Sequence, residues 1–264
     1  MSADRLRELF ATVRAEGRTA FLPFMTAGLP DPQLSPSVFR AIEGADAFEV
    51  GIPYSDPLMD GPTIQAAGQM ALKAGTTLDR GLAIAGGVAE TTGKPVIIMT
   101  YANVIFQVGP ERFAAKAADV GASAVIVADL PIDEAGPIQA AVEAVGLGMV
   151  LFVAPTTDEQ RVAQIVAANP VFVYGVAELG VTGERKESGG HAARLSERVR
   201  ALSDVPLVMG VGISSPEQAS AMRPLADGVI VGSALVRAVL DAPDTDTALR
   251  DLALISRRIA DALR

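Results

Sequence analysis

Val96–Ile97–Ile98–Met99 is a short, unbroken run of apolar residues, and the runs Val125–Ile126–Val127 and Val229–Ile230–Val231 repeat it further along the chain. A strand with one face in water would alternate apolar with polar side chains. An unbroken run is instead typical of a strand that is covered on both faces, as in a parallel sheet wrapped by helices. These runs therefore predict an α/β fold built on a parallel sheet.

Similar segments recur along the whole chain and alternate with longer stretches of helical periodicity. The strand candidates are Thr19–Met25, Ala47–Gly51, Pro95–Thr100, Ala124–Ala128, Met149–Val153, Val171–Tyr174, Leu207–Gly210 and Gly228–Val231. Eight strand–helix units without a break in composition favour a closed barrel over an open doubly wound sheet. We therefore expect residues 1–264 to form a single (β/α)8 TIM-barrel domain.

Start signals precede several of the helical stretches, because Ser and Thr side chains satisfy free amides and Pro presets the first turn. They stand at Ser35–Ser37, Pro62–Thr63, Gly109–Glu111, Thr156–Glu159 and Ser214–Glu217. At the N-terminus, Leu6, Leu9, Phe10 and Val13 recur at helical spacing between charged residues. This pattern predicts an extra amphipathic N-terminal helix rather than a signal peptide.

The composition excludes several classes of function. The chain has no cysteine and its only histidine is His191, so disulfides, thiol chemistry, a Ser-His-Asp triad and a multi-histidine metal site are not expected. A net charge of −9 opposes nucleic-acid binding. No apolar run approaches the roughly 18 to 20 residues that span a bilayer. We expect a soluble, cytoplasmic protein.

A glutamate stands inside the second strand candidate, at Glu49 between Phe48 and Val50. Strand alternation places it on the face opposite to those two residues, so it points into the barrel if they pack against the outer helices. Burial there would raise its pKa, which suits a group that carries a proton near neutral pH. A buried carboxylate held by a neighbouring strand is the alternative.

Glycines follow the last two strand candidates, in Gly210–Val211–Gly212 and Gly232–Ser233. In this fold the loops after strands 7 and 8, with a short extra helix, commonly bind phosphate. Glycines let backbone amides approach the anion, and a helix N-terminus adds a positive dipole end. We therefore predict a short phosphate-binding helix after strand 8. The alternative is that these glycines only allow tight turns.

The string from Phe48 to Gln65, which reads FEVGIPYSDPLMDGPTIQ, closely resembles the signature of the tryptophan synthase alpha subunit. Further motifs follow in the family's order and spacing, so the resemblance covers Phe21 to Val236. They are Tyr101–Asn103 with Gly109, Val127–Pro131, Ala154–Thr157, Gly180–Gly183, Gly210–Ser214 and Asp227–Ala234. Several ordered motifs on successive strand ends are far more specific than one glycine motif.

The resemblance implies a lyase that splits indole-3-glycerol phosphate into indole and glyceraldehyde 3-phosphate, in the penultimate step of tryptophan biosynthesis. Glu49 matches the family's catalytic glutamate, and Asp60 matches the aspartate that hydrogen-bonds the indole N–H. Carboxyl groups in unlike surroundings can divide the required proton transfers. The alternative is that Asp60 is only a turn or cap residue before the helix that starts at Pro62.

The resemblance also implies the remaining parts of the site. The family's phosphate ligands match Gly183, Gly212, Gly232 and Ser233. Its indole pocket matches Phe24, Met99, Tyr101, Ile126 and Tyr174, all of which could equally be barrel core. Its mobile lid matches the segment from Glu178 to Gly190, where Thr182 would close over Asp60. Val211 stands where the family often carries a larger aromatic residue. His191 is expected to be a solvated loop residue without a role.

The resemblance implies a partner rather than a cofactor for this chain. Pro53, Asp56, Asn103 and Phe106 fall where the family contacts its beta subunit, in an expected alpha2beta2 tetramer. Pyridoxal phosphate would belong to that beta subunit, and no cofactor or metal is expected here.

Three alternatives stay open at this point. The first is a standalone indole-3-glycerol-phosphate lyase that releases free indole. The second is a non-catalytic allosteric binding module for a beta subunit, which the retention of Glu49 and Asp60 disfavours. The third is another phosphate-binding barrel enzyme, such as a sugar-phosphate isomerase, which would need different residues at the strand ends.

Overall fold

The computed structural model describes residues 3–176, 188–210 and 212–264. Its parallel strands pair in chain order, and the last strand pairs with the first, so the sheet closes into a barrel. The strands are β1 Ala20–Thr26, β2 Phe48–Gly51, β3 Val96–Thr100, β4 Ala124–Val127, β5 Gly148–Val153, β6 Phe172–Val176, β7 Leu207–Gly210 and β8 Gly228–Val231. The predicted (β/α)8 TIM barrel is confirmed.

The strand predictions hold with small shifts at the ends, and glycines account for two of these shifts. Gly148 opens β5 and Gly175 lies in β6, although glycine is a poor strand former. A Cβ on Gly148 would lie 2.7 Å from Val171, and one on Gly175 would lie 2.6 Å from the sulfur of Met209. Close packing therefore favours glycine at both positions, most strongly beside the rigid side chain of Val171, which propensity alone does not reveal.

Helices surround the barrel and connect its strands. They are α1 Ala3–Ala15, α2 Ser35–Ala41, α3 Pro62–Lys73, α4 Leu78–Thr92, α5 Ala102–Val108, α6 Pro110–Asp119, α7 Gly136–Ala144, α8 Glu159–Ala167, α9 Ser188–Arg200, α10 Pro216–Met222, α11 Ser233–Leu240 and α12 Thr245–Ala262, with a 3-10 turn at Ile132–Glu134. Within these described ranges, no helix is both long enough and apolar enough to cross a membrane.

Most of the start signals act as expected. Asp158 caps α8 by accepting from the Arg161 amide, and Ser215 caps α10 by accepting from the Gln218 amide. Ser35 departs from this pattern, because it is the first residue of α2 and does not cap it. Its hydroxyl oxygen instead accepts a hydrogen bond of 2.9 Å from the amide of Gly28, in the loop after β1.

The barrel register determines which side chains point inward. Phe24 is in register with Glu49, and Glu49 with Ile97, so these three residues share the inner face. The same parity places Phe152 and Tyr174 inside, as partners on β5 and β6. The predicted inward orientation of Glu49 is therefore confirmed.

Helix α1 closes the N-terminal end of the barrel, opposite to the strand ends where an active site is expected. The ring of Phe10 is buried and packs edge-on against Phe172, the first residue of β6, with centroids 5.7 Å apart. A Cβ on Gly228, the first residue of β8, would lie 3.3 Å from the Phe10 ring. Phe10 therefore fills the bottom of the barrel.

We expect Phe10→Ala to lower the free energy of unfolding by about 3–5 kcal/mol, because the cavity it leaves is enclosed by strands that cannot collapse. Leu254→Ala is the matched control, since Leu254 is 57% exposed on α12 and its truncation should change stability by about 0.5 kcal/mol or less. Urea unfolding of both variants measures the difference. Equal stability of the two variants would contradict the role assigned to Phe10.

Candidate active site

Glu49 lies in the middle of β2 with only 2% of its surface exposed. Within the described part of the chain, its Oε2 atom has no hydrogen-bond partner, so no salt bridge there compensates its burial. The described residues of the neighbouring strands therefore do not hold Glu49 in a salt bridge, which was the alternative interpretation. A buried carboxyl without a partner is costly when charged, which favours its protonated form.

Asp60 lies in the turn between β2 and α3 and is partly exposed. Its backbone is fixed from two sides: its amide donates to the Pro57 carbonyl at 3.0 Å, and its carbonyl accepts from Gln65 Nε2 at 2.9 Å. Asp60 does not cap α3, because the N-cap residue is Gly61. The turn thus presents the Asp60 side chain to the mouth of the barrel.

The two carboxyl groups influence each other. Burial, together with the nearby charge of Asp60, raises the pKa of Glu49 to about 8. Burial also raises the pKa of Asp60, while the hydroxyl of Tyr101 opposes that shift. At neutral pH the site therefore combines a protonated Glu49 with an acceptor at Asp60, an asymmetry that often marks a catalytic pair.

An aromatic pocket adjoins this pair. It is lined by Asp60 together with Phe24, Met99 and Tyr101, three of the residues predicted for the indole pocket. Tyr174 stands on β6, and burial, followed by the charges of Glu49 and Asp60, raises its pKa. Ile126 has no exposed surface and is in register with Met99, so core packing accounts for it and its pocket role stays a prediction.

The glycine-rich ends of β7 and β8 lie next to this pocket, because β8 pairs with β1, which carries Phe24. Gly212 follows β7 with a φ of +76°, a conformation that favours glycine. Gly232 precedes α11, and a Cβ there would lie 3.2 Å from the Phe24 ring. Helix α11 begins at Ser233, as predicted, and no side chain of the described residues caps it. Its first amides are therefore available to an anion.

Several predicted site residues lie outside the described residues, namely Gly183, Thr182 and Val211. The assignment of His191 to a loop is wrong, because α9 already begins at Ser188 and His191 is an exposed residue within that helix. The Gly-rich sequence before it concealed the helix start. Among the described residues, no group of three carboxylate or histidine side chains is arranged to hold a metal ion.

The residues predicted to contact a partner lie on loops and on α5 at the carboxyl ends of β2 and β3. Asp56 and Asn103 are exposed, and Phe106 exposes 54% of its surface. Two neighbours were not predicted, although Leu58 is 89% exposed and Met59 is 64% exposed. Exposed apolar side chains of this size indicate an interaction surface.

Two further residues of the site were also missed. Phe152 packs against Tyr174 with ring centroids 4.9 Å apart, and Tyr54 packs against Tyr101 with centroids 5.0 Å apart. Strand alternation could have placed Phe152 on the inner face, because it has the same parity as Val150. No periodic signal could have placed Tyr54, which lies in a loop.

The pKa of Glu49 makes stability depend on pH. Between its ordinary value of 4.5 and about 8, the folded state keeps a proton that the unfolded state has released, so raising the pH favours unfolding. We expect Glu49→Gln to gain stability over the wild type by up to about 1.4 kcal/mol per pH unit in that window. The pH-dependent part of this difference should vanish below pH 4.5 and stay constant above about pH 8.

Urea unfolding of both proteins from pH 4 to pH 9 measures this trend. Glu90→Gln removes an exposed carboxyl on α4 and serves as the control, because it leaves Glu49 in place and should retain the wild-type trend. A stability difference between Glu49→Gln and wild type that did not change with pH would refute the raised pKa.

Comparison with known proteins identifies the family of the chain. The family model for the tryptophan synthase alpha chain matches residues 10–264. The tryptophan synthase alpha chain of Streptomyces avermitilis is 40% identical over 98% of this chain and 94% of that protein, and the one from Thermobifida fusca is 42% identical over 98% and 97%.

Solved structures show the same likeness. A crystal structure of tryptophan synthase from Mycobacterium tuberculosis superposes with a TM-score of 0.89 at 36% identity, covering 100% of this chain and 99% of that one. Tryptophan synthase subunit alpha from Legionella pneumophila superposes with a TM-score of 0.89 at 31% identity, covering 100% and 98%. With this barrel, this carboxyl pair and these relatives, the chain belongs to the tryptophan synthase alpha chain family.

Proposed function

We propose that this chain cleaves indole-3-glycerol phosphate to indole and glyceraldehyde 3-phosphate by a retro-aldol reaction, as the alpha subunit of tryptophan synthase. The observation that supports this most is the pair of Glu49 and Asp60, two interacting carboxyl groups in unlike surroundings beside an aromatic pocket. A family membership alone indicates a lyase in tryptophan biosynthesis. The carboxyl pair indicates how the bond would break.

The reaction needs proton transfers but no oxidant, reductant or water. Carbon C3 of the indole ring gains a proton while N1 loses one, which gives the indolenine tautomer. The hydroxyl on the adjacent glycerol carbon then loses its proton and becomes the aldehyde carbonyl as the C3–C3′ bond breaks. The bonding electron pair forms the C2–C3 double bond of indole, and N1 regains a proton. The two products together contain all the atoms of the substrate.

Glu49 suits the transfers at carbon and at the hydroxyl. With a pKa of about 8 it is mostly protonated at neutral pH, so it can deliver a proton to C3. The carboxylate that results is buried and strongly basic, and it can remove the hydroxyl proton. One residue thus serves first as acid and then as base, with its proton returned at the end of the cycle.

Asp60 suits the transfer at nitrogen. Its carboxyl is less buried than that of Glu49, and the Tyr101 hydroxyl opposes the rise of its pKa, so it accepts a hydrogen bond from N1–H more readily. A charge on Asp60 also stabilises the positive charge that develops on the ring when C3 is protonated. The indole ring would lie between Phe24, Met99 and Tyr101, with Tyr174 and Ile126 as further predicted contacts.

The phosphate would bind at the ends of β7 and β8. Gly212, Gly232 and Ser233 offer backbone amides and the N-terminus of α11, which hold an anion without basic side chains. This arrangement suits a protein with a net charge of −9. Gly183 and the lid residue Thr182 would complete the site by resemblance to the family.

The partner would be a tryptophan synthase beta subunit, in an alpha2beta2 tetramer whose pyridoxal phosphate belongs to the beta subunit. The contact surface would include Pro53, Asp56, Asn103 and Phe106. The exposure of Leu58, Met59 and Phe106 supports this, since burying three large apolar side chains against a partner is favourable. A surface next to the Asp60 turn would let the partner influence the site.

We expect Glu49→Gln to lower kcat for indole-3-glycerol phosphate cleavage by about 10²- to 10⁴-fold, because the amide keeps the shape of the side chain and removes its transferable proton. Asp60→Asn should lower kcat by about 10- to 100-fold, because the amide oxygen still accepts from N1–H but carries no charge. Indole release by the purified chain, with and without the beta subunit, is the measurement.

Glu90→Gln, an exposed carboxyl on α4, is the control and should keep wild-type turnover. Cleavage that is slow alone and rises with the beta subunit supports the alpha-subunit role. Fast cleavage that ignores the beta subunit would indicate a standalone lyase. No cleavage under either condition would overturn the proposed activity and leave a binding module.

A further inference from the structure

Tyr54 lies in the loop between β2 and α3, six residues before Asp60, and its side chain contacts two other parts of the site. Its ring packs against that of Tyr101 at the end of β3, with centroids 5.0 Å apart and planes inclined by 30°. Its hydroxyl oxygen accepts a hydrogen bond of 3.1 Å from Asn103 Nδ2 on α5. The Tyr54 side chain is therefore held at both its face and its tip.

Tyr101 is the residue through which this contact reaches Asp60. Tyr101 is 3% exposed, and its hydroxyl oxygen has no hydrogen-bond partner among the described residues. Tyr101 lines the same pocket as Asp60, and its hydroxyl lowers the pKa of the Asp60 carboxyl. Behind it, the Ala102 amide donates to Asp129 Oδ1 at 2.8 Å, which fixes the backbone at the start of α5. The Tyr54 ring packs against the Tyr101 ring and so limits its movement on that side.

The backbone of Asp60 is already fixed by Pro57 and Gln65, but those contacts leave its side chain free to rotate. The direction of the carboxyl is set by what surrounds it, and the Tyr101 hydroxyl is a polar group on that side of the pocket. A displacement of the Tyr101 ring would therefore change the surroundings that set the direction of the Asp60 carboxyl. Displacements of about 1 Å in a catalytic group can cost about 10²-fold in rate.

We infer that Tyr54 is a positioning residue for Asp60, which it orients by pressing the Tyr101 ring into place while the Asn103 amide holds the Tyr54 hydroxyl. This inference rests on the proposed function, because it concerns the orientation in which the Asp60 carboxyl accepts the indole N1–H. It assigns Asn103 a role inside this chain in addition to the partner contact predicted for it.

The inference predicts the direction in which the pKa of Asp60 should change. The groups that face Asp60 are Glu49 on β2, Tyr101 at the end of β3 and Tyr174 on β6, while Asp129 faces Tyr101. Burial raises the pKa of Asp60, and the Tyr101 hydroxyl lowers it. Loss of the Tyr101 contact should therefore raise the pKa of Asp60 and move the acidic limb of the kcat/KM profile to higher pH.

The test compares Tyr54→Leu, Tyr54→Phe, Asn103→Ala, Tyr101→Phe and the double variant Tyr54→Leu/Tyr101→Phe. Two readouts are used: the pKa of the Asp60 carboxyl by carbon-13 NMR, and the pH profile of indole-3-glycerol phosphate cleavage. Gln107→Ala, on the exposed face of α5, controls for general disturbance of that helix and should change neither.

We expect Tyr54→Leu to lower kcat about 3- to 10-fold and to raise the pKa of Asp60, because an aromatic pair contributes about 0.5–1.5 kcal/mol and a tenfold change corresponds to about 1.4 kcal/mol. Tyr54→Phe keeps the ring and should restore activity to within about threefold of wild type, with Asn103→Ala at a similar level. In the Tyr101→Phe background, Tyr54→Leu should add less than about twofold.

Multiplicative effects of Tyr54→Leu and Tyr101→Phe on kcat would overturn the inference, because residues that act through each other are not additive. An unchanged pKa of Asp60 in a folded Tyr54→Leu protein would also overturn the inference. If Tyr54→Leu does not fold, Tyr54→Met carries the test, because it also removes the aromatic ring while it keeps an apolar side chain of similar length, and an unchanged pKa of Asp60 in that protein contradicts the inference. If wild type does not cleave the substrate, the proposed function fails while the NMR comparison still decides the role of Tyr54.

Discussion

The burial of an ionisable carboxyl inside the barrel is the constraint on which the rest of the site depends. Glu49 occupies an inward position on β2 where the described residues offer its Oε2 atom no hydrogen bond. Such a group is stable mainly while it keeps its proton, and for this reason its pKa rises to about 8. An apolar residue at this position would make the barrel more stable. Glu49 lowers that stability but supplies a group that transfers protons at neutral pH.

The two ends of the barrel have different roles, because stabilising contacts lie at the N-terminal end and the candidate active site lies at the carboxyl end. At the N-terminal end, α1 inserts the apolar ring of Phe10 among the first residues of β6 and β8. At the carboxyl end, loops and helix starts bring together Asp60, Tyr101 and the first amides of α11. Because the loops can vary without disturbing the packed strands, this end can hold charged and strained groups that the core could not tolerate.

Much of the fold and part of the site followed from local patterns. The apolar runs predicted all eight strands, and alternation predicted the inward direction of Glu49, because both depend only on which neighbours a strand buries. The resemblance added Asp60, Phe24, Met99 and Tyr101, which the structure gathers around one pocket. The failures involve residues whose environment is not local: Ser35 bonds to a loop instead of capping α2, and His191 lies in a helix whose start has no clear signal.

Taken alone, the sequence determined the order of strands and helices, the closed barrel and the presence of two carboxyl groups near strand ends. These depend on periodicity and residue type, which are written along the chain. Only the tertiary structure decided that Glu49 lacks a partner among the described residues, that Tyr54 stacks on Tyr101, and that Leu58 and Met59 stand exposed. The pKa of a carboxyl and the contacts of a loop side chain depend on groups that are distant in sequence, and only folding brings those groups together.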